Sequence, residues 1–259
     1  MTEITNFEKF RDLYVGFAES CFRWSREFYE AAVFESTIKK LWITSEKLIE
    51  NGRKYNLTSI LDLEEIIRKH IIDSLLPFCI VFDNYLKERC GGIVDVGTGA
   101  GFPLMPLAAV FSKLAPETNL TGIEATGKKI RHIREAAASA GLEKVVAIQG
   151  RAEEIGKTAF RETQDVATAR AVASLPVILE LCIPLIKTGG LFVALKSHLH
   201  EELEQAEEVS ETLGARAVKT IKYELPGGDS RTLIVYKKEK STPDMFPRRY
   251  SEIIKGIKK

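Results

Sequence analysis

The residues best suited to chemistry are Asp95-Val96-Gly97-Thr98-Gly99-Ala100-Gly101-Phe102-Pro103. The apolar pair Ile93-Val94 precedes them and an apolar helical stretch follows. The segment therefore reads as strand, glycine turn and helix, the context of a nucleotide-cofactor loop. Glycine lets the backbone turn sharply off a strand and approach a ligand with no Cβ between them. A dinucleotide loop runs G-x-G-x-x-G or G-x-G-x-x-A, its last small residue allowing close packing of the helix whose N-terminus faces a pyrophosphate. Counted from Gly97, that last position is Phe102. The spacing is instead G-x-G-x-G behind an acidic strand end, with a bulky residue where the dinucleotide loop needs a small one. Phe102 is free to pack on a ligand. An ordinary Gly-rich turn is the plainer alternative, and three alternating glycines in this setting weigh against it.

Ligands of a doubly wound sheet bind at the carboxyl ends of its strands, so those ends are read next. One predicted strand ends Thr121-Gly122-Ile123-Glu124. A carboxylate there can accept two hydrogen bonds from a ribose diol, or be a solvent-facing loop residue. Another ends Gln149-Gly150-Arg151-Ala152-Glu153-Glu154. Its amides and Glu153 can reach an adenine edge, or its acidic residues favour a helix N-terminus. A third ends at Arg170. A guanidinium directly after a buried strand is costly unless paired. Its partner is a ligand carboxylate, an RNA phosphate or an acidic side chain such as Glu124 or Glu153.

These residues need a scaffold, and the rhythm of the chain supplies one. Residues 1–88 lack strand signals. Phe7, Phe10, Leu13, Tyr14 and Phe17 recur at helical spacing. A second helical run extends from Phe28 to Ile49 and is expected to stop near Asn51-Gly52. Asp62 and Glu65 form a capping-box pair for a helix expected to end near Pro77. From Ile93 strands and helices alternate, which implies a parallel sheet with crossover helices. Strands are expected near 93–96, 120–124, 145–149, 165–169 and 191–196. Two more, near 217–224 and 232–236, are joined by the turn Pro226-Gly227-Gly228-Asp229-Ser230. The predicted organisation is an N-terminal helical region (1–88), an α/β domain (89–240) and a basic C-terminal tail (241–259).

Composition excludes several classes. Of 259 residues, 45% are hydrophobic and 28% charged, ordinary values for a globular chain. The four cysteines, Cys21, Cys79, Cys90 and Cys182, form no C-x-x-C pair, which argues against a zinc site or a disulfide framework and for a reduced cytoplasm. His198 and His200 lack a suitably spaced third ligand, so no metal is expected. No signal peptide or membrane span is expected. Net charge is only +1, yet Arg231–Lys259 carries nine basic residues against three acidic ones. Such a cluster binds phosphates or is a solvated tail.

The glycine loop resembles motif I of the S-adenosylmethionine (SAM)-dependent methyltransferases. Five parallel strands closed by a terminal antiparallel hairpin likewise resemble their seven-stranded, Rossmann-like α/β sheet. Asn56-Leu57-Thr58, His70 with Asp73-Ser74, Asp95–Pro103, Gly127-Lys128-Lys129, Arg151-Ala152-Glu153, Ala169-Arg170-Ala171-Val172-Ala173, Ala194-Leu195-Lys196, Arg231 and Phe246-Pro247-Arg248 occur in that order. Together, from about residue 20 to 250, they resemble the bacterial RsmG (GidB) family of 16S ribosomal RNA guanine-N7 methyltransferases. The resemblance implies SAM as cofactor and 16S rRNA, or the small ribosomal subunit, as partner. The target would be a guanine in the decoding-region loop, and the enzyme a cytoplasmic monomer. It implies contacts to SAM from Gly97, Phe102, Ala152, Glu153 and Arg170, which Gly99, Gly101 and Glu124 join. Glu124 stands where many members have aspartate, and Leu104 where many have Gly or Ser.

Guanine N7 carries an in-plane lone pair and no proton, so its methylation calls for alignment rather than a general base, and no catalytic acid or base is assigned. The chain also lacks an Asn/Asp-Pro-Pro-aromatic motif for amino methylation. It has no Pro-Cys nucleophile for carbon methylation; Cys182 precedes Pro184. Asn56, His70, Lys196, Arg231, Arg248 and Arg249 are candidates for holding RNA, with His70 and Asp73 alternatively forming a structural hydrogen bond or cap. Three other classes stay open: a nicotinamide-dependent oxidoreductase, a SAM-binding assembly factor without catalysis, and a small-molecule methyltransferase.

Overall fold

The computed structural model describes residues 2–88, 90–170, 173–196 and 203–257. Ala171, Val172, His198, His200, Lys258 and Lys259 lie outside them. Seven strands form one sheet: β1 (Gly92–Val96), β2 (Asn119–Glu124), β3 (Val145–Gln149), β4 (Gln164–Arg170), β5 (Ile186–Lys196), β6 (Ala215–Glu224) and β7 (Ser230–Lys238). Their order is β3-β2-β1-β4-β5-β7-β6. The first five are parallel, and β7 runs antiparallel between β5 and β6. β1 lies between β2 and β4, with Asp95 opposite both Gly122 and Thr168. That is the point where strand order reverses, and a crevice opens beyond the carboxyl ends. This is the sheet expected from the sequence, terminal hairpin included.

On one face pack α6 (Leu104–Leu114) and α7 (Gly127–Ser139). On the other pack α8 (Ala152–Ile155), α9 (Leu175–Cys182), α10 (Leu203–Thr212) and α11 (Tyr250–Ile257). The N-terminal helices α1 (Thr2–Cys21), α2 (Arg26–Ala32) and α3 (Glu35–Tyr55) pack on one another and, through α2 and α3, on α6 and α7. Phe10, Tyr14, Phe28 and Leu41 share one buried cluster with Ile93, Phe111 and Ile133. The helical region and that face of the sheet are therefore covered by a single core.

Two helix boundaries differ from the sequence expectation. Gly52 lies inside α3, its hydrogen against Leu61, where a Cβ would stand 2.6 Å from Leu61 Cδ2. The helix ends four residues later, at Asn56 in the left-handed conformation (φ 52°). Pro77 does not end its helix. α4 (Leu63–Ile66) continues through a wide π turn, Ile67–Ile72, into α5 (Asp73–Val81) and a second π turn, Phe82–Leu86. Proline costs a helix one N–H bond. Every residue of α5 is buried, and that packing outweighs the local penalty. The Asp62 cap is present, its carboxylate accepting from the Glu65 amide at 3.1 Å. Beyond β7, residues 241–257 fold back onto the sheet as a loop and α11 instead of trailing as a tail, with Ile253 fully buried.

A two-lobed cleft at the carboxyl edge of the sheet

The glycine loop leaves β1 at the switch point. Gly99 is left-handed (φ 60°) and directs its amide to Glu124 Oε2 at 3.2 Å. Gly101 (φ 95°) passes so close to α6 that a Cβ would meet Met105 Cγ at 2.7 Å. Asp95, wholly inside the sheet end, accepts the Leu104 amide at 3.1 Å and so caps α6 from the strand. Leu104 in place of Gly or Ser is accommodated, its side chain 1% exposed. Burial pushes the Asp95 pKa up to about 7, against the pull of the Thr98 hydroxyl and the Leu104 amide.

Two cavities meet along this loop, sharing Gly97 and Lys129. The nucleoside lobe, about 320 Å³, is lined by Glu124, Gly150, Arg151, Ala152, Glu153 and Tyr250, among others. Glu124 is 8% exposed. Besides Gly99 it accepts the Thr126 amide at 2.8 Å, and Lys129 Nζ stands 3.6 Å away. These donors orient its carboxylate, whose oxygens can also accept from a ribose diol. Glu153 faces Arg151 at 3.9 Å. The donor set, the left-handed glycines and the absence of a phosphate cradle all fit SAM.

The second lobe, about 410 Å³, is lined by Leu57, Thr58, His70, Asp73, Phe102, Arg170, Leu195, Lys196 and Arg231, with the glycine loop beneath. Arg170 is paired, though with neither glutamate named above. Its Nη1 donates to Asp73 Oδ2 at 2.9 Å and to the Lys69 carbonyl at 3.0 Å. Arg231 Nε donates to the other Asp73 oxygen at 3.1 Å. One carboxylate from α5 thus holds arginines from β4 and β7. His70 stacks on Phe102 with centroids 4.5 Å apart and planes 20° from parallel. The Arg170 guanidinium lies 5.6 Å from the same Phe102 ring. Arg170 Nη2 faces His70 Nδ1 at 3.4 Å, and Nε2 is 3.2 Å from Thr58 Oγ1. An arginine can only donate, so the imidazole proton sits on Nε2 and is offered to Thr58. Burial, then the Arg170 charge, push the His70 pKa down to about 4, which keeps the ring neutral.

Most of the residues singled out from sequence meet here: Gly97, Gly99, Phe102, Glu124, Ala152, Glu153, Arg170, His70, Lys196 and Arg231. Lys196 Nζ donates to the Ala173 carbonyl at 3.0 Å. Four stand elsewhere. Gly101 supports the loop from behind. Asn56 caps α3 at the exposed surface, while its neighbours Leu57 and Thr58 line the cleft. Arg248 is engaged with Glu180, away from either lobe, and Arg249 is exposed at the start of α11. Sequence reasoning left out Asp73, Lys129, Arg151 and Tyr250 as site residues. Lys129 was signalled by its place after Gly127, whereas nothing local marks Tyr250. Among the described residues no cluster of three His, Cys, Asp or Glu side chains could hold a metal. No helix among them is long and apolar enough to cross a membrane.

Comparison with known proteins shows the family and the fold. Residues 37–232 match the family GidB, described as rRNA small subunit methyltransferase G; the match stops before Tyr250. The ribosomal RNA small subunit methyltransferase G of Alkaliphilus metalliredigens is 40% identical over 218 residues, 83% of this chain and 88% of that one. Its counterpart in Staphylococcus aureus strain RF122 is 42% identical over 205 residues, 78% and 82% of the two chains. Among solved structures, the O-methyltransferase from Bacillus cereus, in complex with S-adenosylhomocysteine (SAH), superposes with a TM-score of 0.55. Its sequence identity is 14%, over 76% of this chain and 91% of that one, a likeness of fold.

Proposed function

Because the chain belongs to the rRNA small subunit methyltransferase G (GidB) family, we propose that it transfers a methyl group from SAM to N7 of one guanine in the 16S rRNA of the small ribosomal subunit. The observation that carries this reading is the junction of the two lobes at Gly97 and Lys129. It joins a nucleoside site to a slot lined by aromatic rings and cations. Bound SAM supplies an electrophilic methyl group, and guanine N7 offers an in-plane lone pair with no proton to remove.

What remains for the protein is to bind, orient and keep water out. Glu124 and the glycine loop would hold the cofactor sugar, with Ala152 and Glu153 available to its base. Phe102, stacked on His70, forms a wall of the second lobe, with Leu57 and Leu195 also lining it. Alignment of this kind can lower a barrier by about 7–11 kcal/mol. Of the carboxylates near the junction, Asp73 is held by two arginines and Glu124 by two amides, while Asp95 is buried beneath the loop and lines neither lobe. No base faces the nucleophile, which needs none. N7 lies on the major-groove edge, inaccessible in A-form RNA, so the substrate is a loop or an opened base. Lys196 and Arg231, which line the second lobe, would meet its backbone, and the exposed Arg249 would do so from beside α11. The enzyme works beside the ribosome in the cytoplasm, as a single chain.

The test is to incubate the purified protein with labelled SAM and small subunits from a strain lacking this gene, then map N7-methylguanine by base-specific cleavage. One labelled guanine is expected. Label on another atom, or none while SAM binds, overturns the proposal.

A further inference from the structure

Tyr250 opens α11 and lines the nucleoside lobe together with Glu124, Ala152 and Glu153. It reaches that place only because the segment before it is fastened. Arg248 donates to Glu180 from its backbone amide at 2.8 Å, from Nε at 2.9 Å and from Nη2 at 2.6 Å. The Glu180 side chain is 1% exposed. Arg161 donates to the carbonyls of Thr242, Pro243 and Phe246 at 2.7, 3.2 and 2.6 Å. Pro247 presses on Gly156 just past α8, where a Cβ would stand 3.1 Å from Pro247 Cγ. On the far side of Tyr250, Ile253 is fully buried. The ring is thus held from both directions, and the Arg151 guanidinium lies 5.9 Å from its centroid.

We infer that Tyr250 is the aromatic wall for the cofactor's purine, and that residues 242–250 form a strap whose work is to hold that ring in the nucleoside lobe. The inference rests on the methyltransferase reading above. A preplaced ring gives a purine a flat apolar face at little entropic cost. The guanidinium of Arg151 adds a cation near the tyrosine ring. Of the strap's two arginines, Arg248 is spent internally on Glu180 while Arg249 is exposed, and the buried Lys238 at the end of β7 is likewise spent, on Glu162 at 2.6 Å.

The test measures Kd for SAH and for 5′-methylthioadenosine, which keeps the purine and lacks the amino-acid part, by calorimetry. Tyr250→Leu removes the ring and keeps apolar bulk. It is expected to weaken both ligands by the same factor, about 2- to 12-fold, with the ligand-free melting temperature unchanged. Tyr250→Phe is expected to bind both as the wild type does. Tyr250→Trp supplies a reading that does not depend on the leucine variant folding: its added emission is expected to be quenched when SAH saturates the protein. Wild-type affinity in Tyr250→Leu, or emission of Tyr250→Trp indifferent to SAH, overturns the strap while leaving the methyltransferase reading intact. A wild-type protein that binds no SAH overturns that reading, and the strap with it.

Discussion

Asp73 and Arg170 are 97 residues apart in the chain and 2.9 Å apart in the fold. The contact ties the N-terminal helices to the carboxyl end of β4. Because the second Asp73 oxygen takes Arg231, it also fixes how the terminal hairpin faces the cleft. The helical region therefore sets the geometry of the site as well as covering the sheet. Asp73→Asn keeps the shape and removes the charge that two guanidinium groups need. The side chains of Arg170 and Arg231 are 16% and 21% exposed. The expected loss is about 2–3 kcal/mol of stability, below the roughly 3–5 kcal/mol of a fully buried pair. Methyl transfer should fall further than the residual folded fraction explains. Urea unfolding alongside single-turnover kinetics checks both.

His70 gives the protein an acid-sensitive joint. Its pKa is about 4 in the folded state against about 6.5 for an unperturbed imidazole. Between those values the unfolded chain binds a proton that the folded one refuses, so stability falls as pH drops from about 6.5 to about 4. His70→Gln cannot titrate. The wild type is expected to lose more melting temperature than His70→Gln between pH 7 and about 5. Parallel pH profiles in the two proteins would refute the neutral, Arg170-facing imidazole.

Glu124 is expected to carry much of the cofactor affinity. Glu124→Gln retains an acceptor for one amide and gives up the charge that strengthens bonds to a ribose diol. SAH binding should weaken by about tenfold or more, since a hydrogen bond to a charged group contributes roughly 1.5–3 kcal/mol. RNA affinity should be unchanged. Calorimetry and a filter-binding titration on the same preparation separate the two.

How much of this could be read in the chain depends on how local each cause is. The glycine loop, the seven strands and the turn at Pro226–Ser230 follow from short-range spacing, and all were legible. The carboxylate at the end of β2 was legible because parallel strands put their ends at one level. Arg170 announced that it needed a partner, but Asp73 sits on a helix whose docking no periodicity specifies. The sheet-end glutamates were the nearer guess and the wrong one. Pro77 misled because burial of a whole helix outweighs one missing N–H. Tyr250 was invisible: its role comes from Arg161, Glu180 and Gly156, residues 70 to 94 positions away that say nothing about a cofactor until the fold unites them.

The neighbouring arginines 248 and 249 put this distinction to the sharpest test, because composition treats them alike. Arg248 neutralises Glu180, whose side chain is 1% exposed. In Arg248→Gln that carboxylate is left without its cation, whose side chain is 31% exposed, so the expected cost is about 2–3 kcal/mol, below that of a fully buried pair, and the loosened strap is expected to weaken SAH binding as well. Arg249 is exposed, and only its backbone amide is engaged, by Glu252 at 3.1 Å. Arg249→Gln should leave stability and SAH affinity alone. If the guanidinium meets a phosphate, RNA affinity should fall, and the slope of its logarithm against log salt should shrink by about 0.7–0.9, one released counterion. Thermal melts, SAH calorimetry and RNA binding at several salt concentrations on both variants decide the matter. The assignment fails if Arg248→Gln flattens the salt slope at unchanged stability, or if Arg249→Gln destabilises the fold.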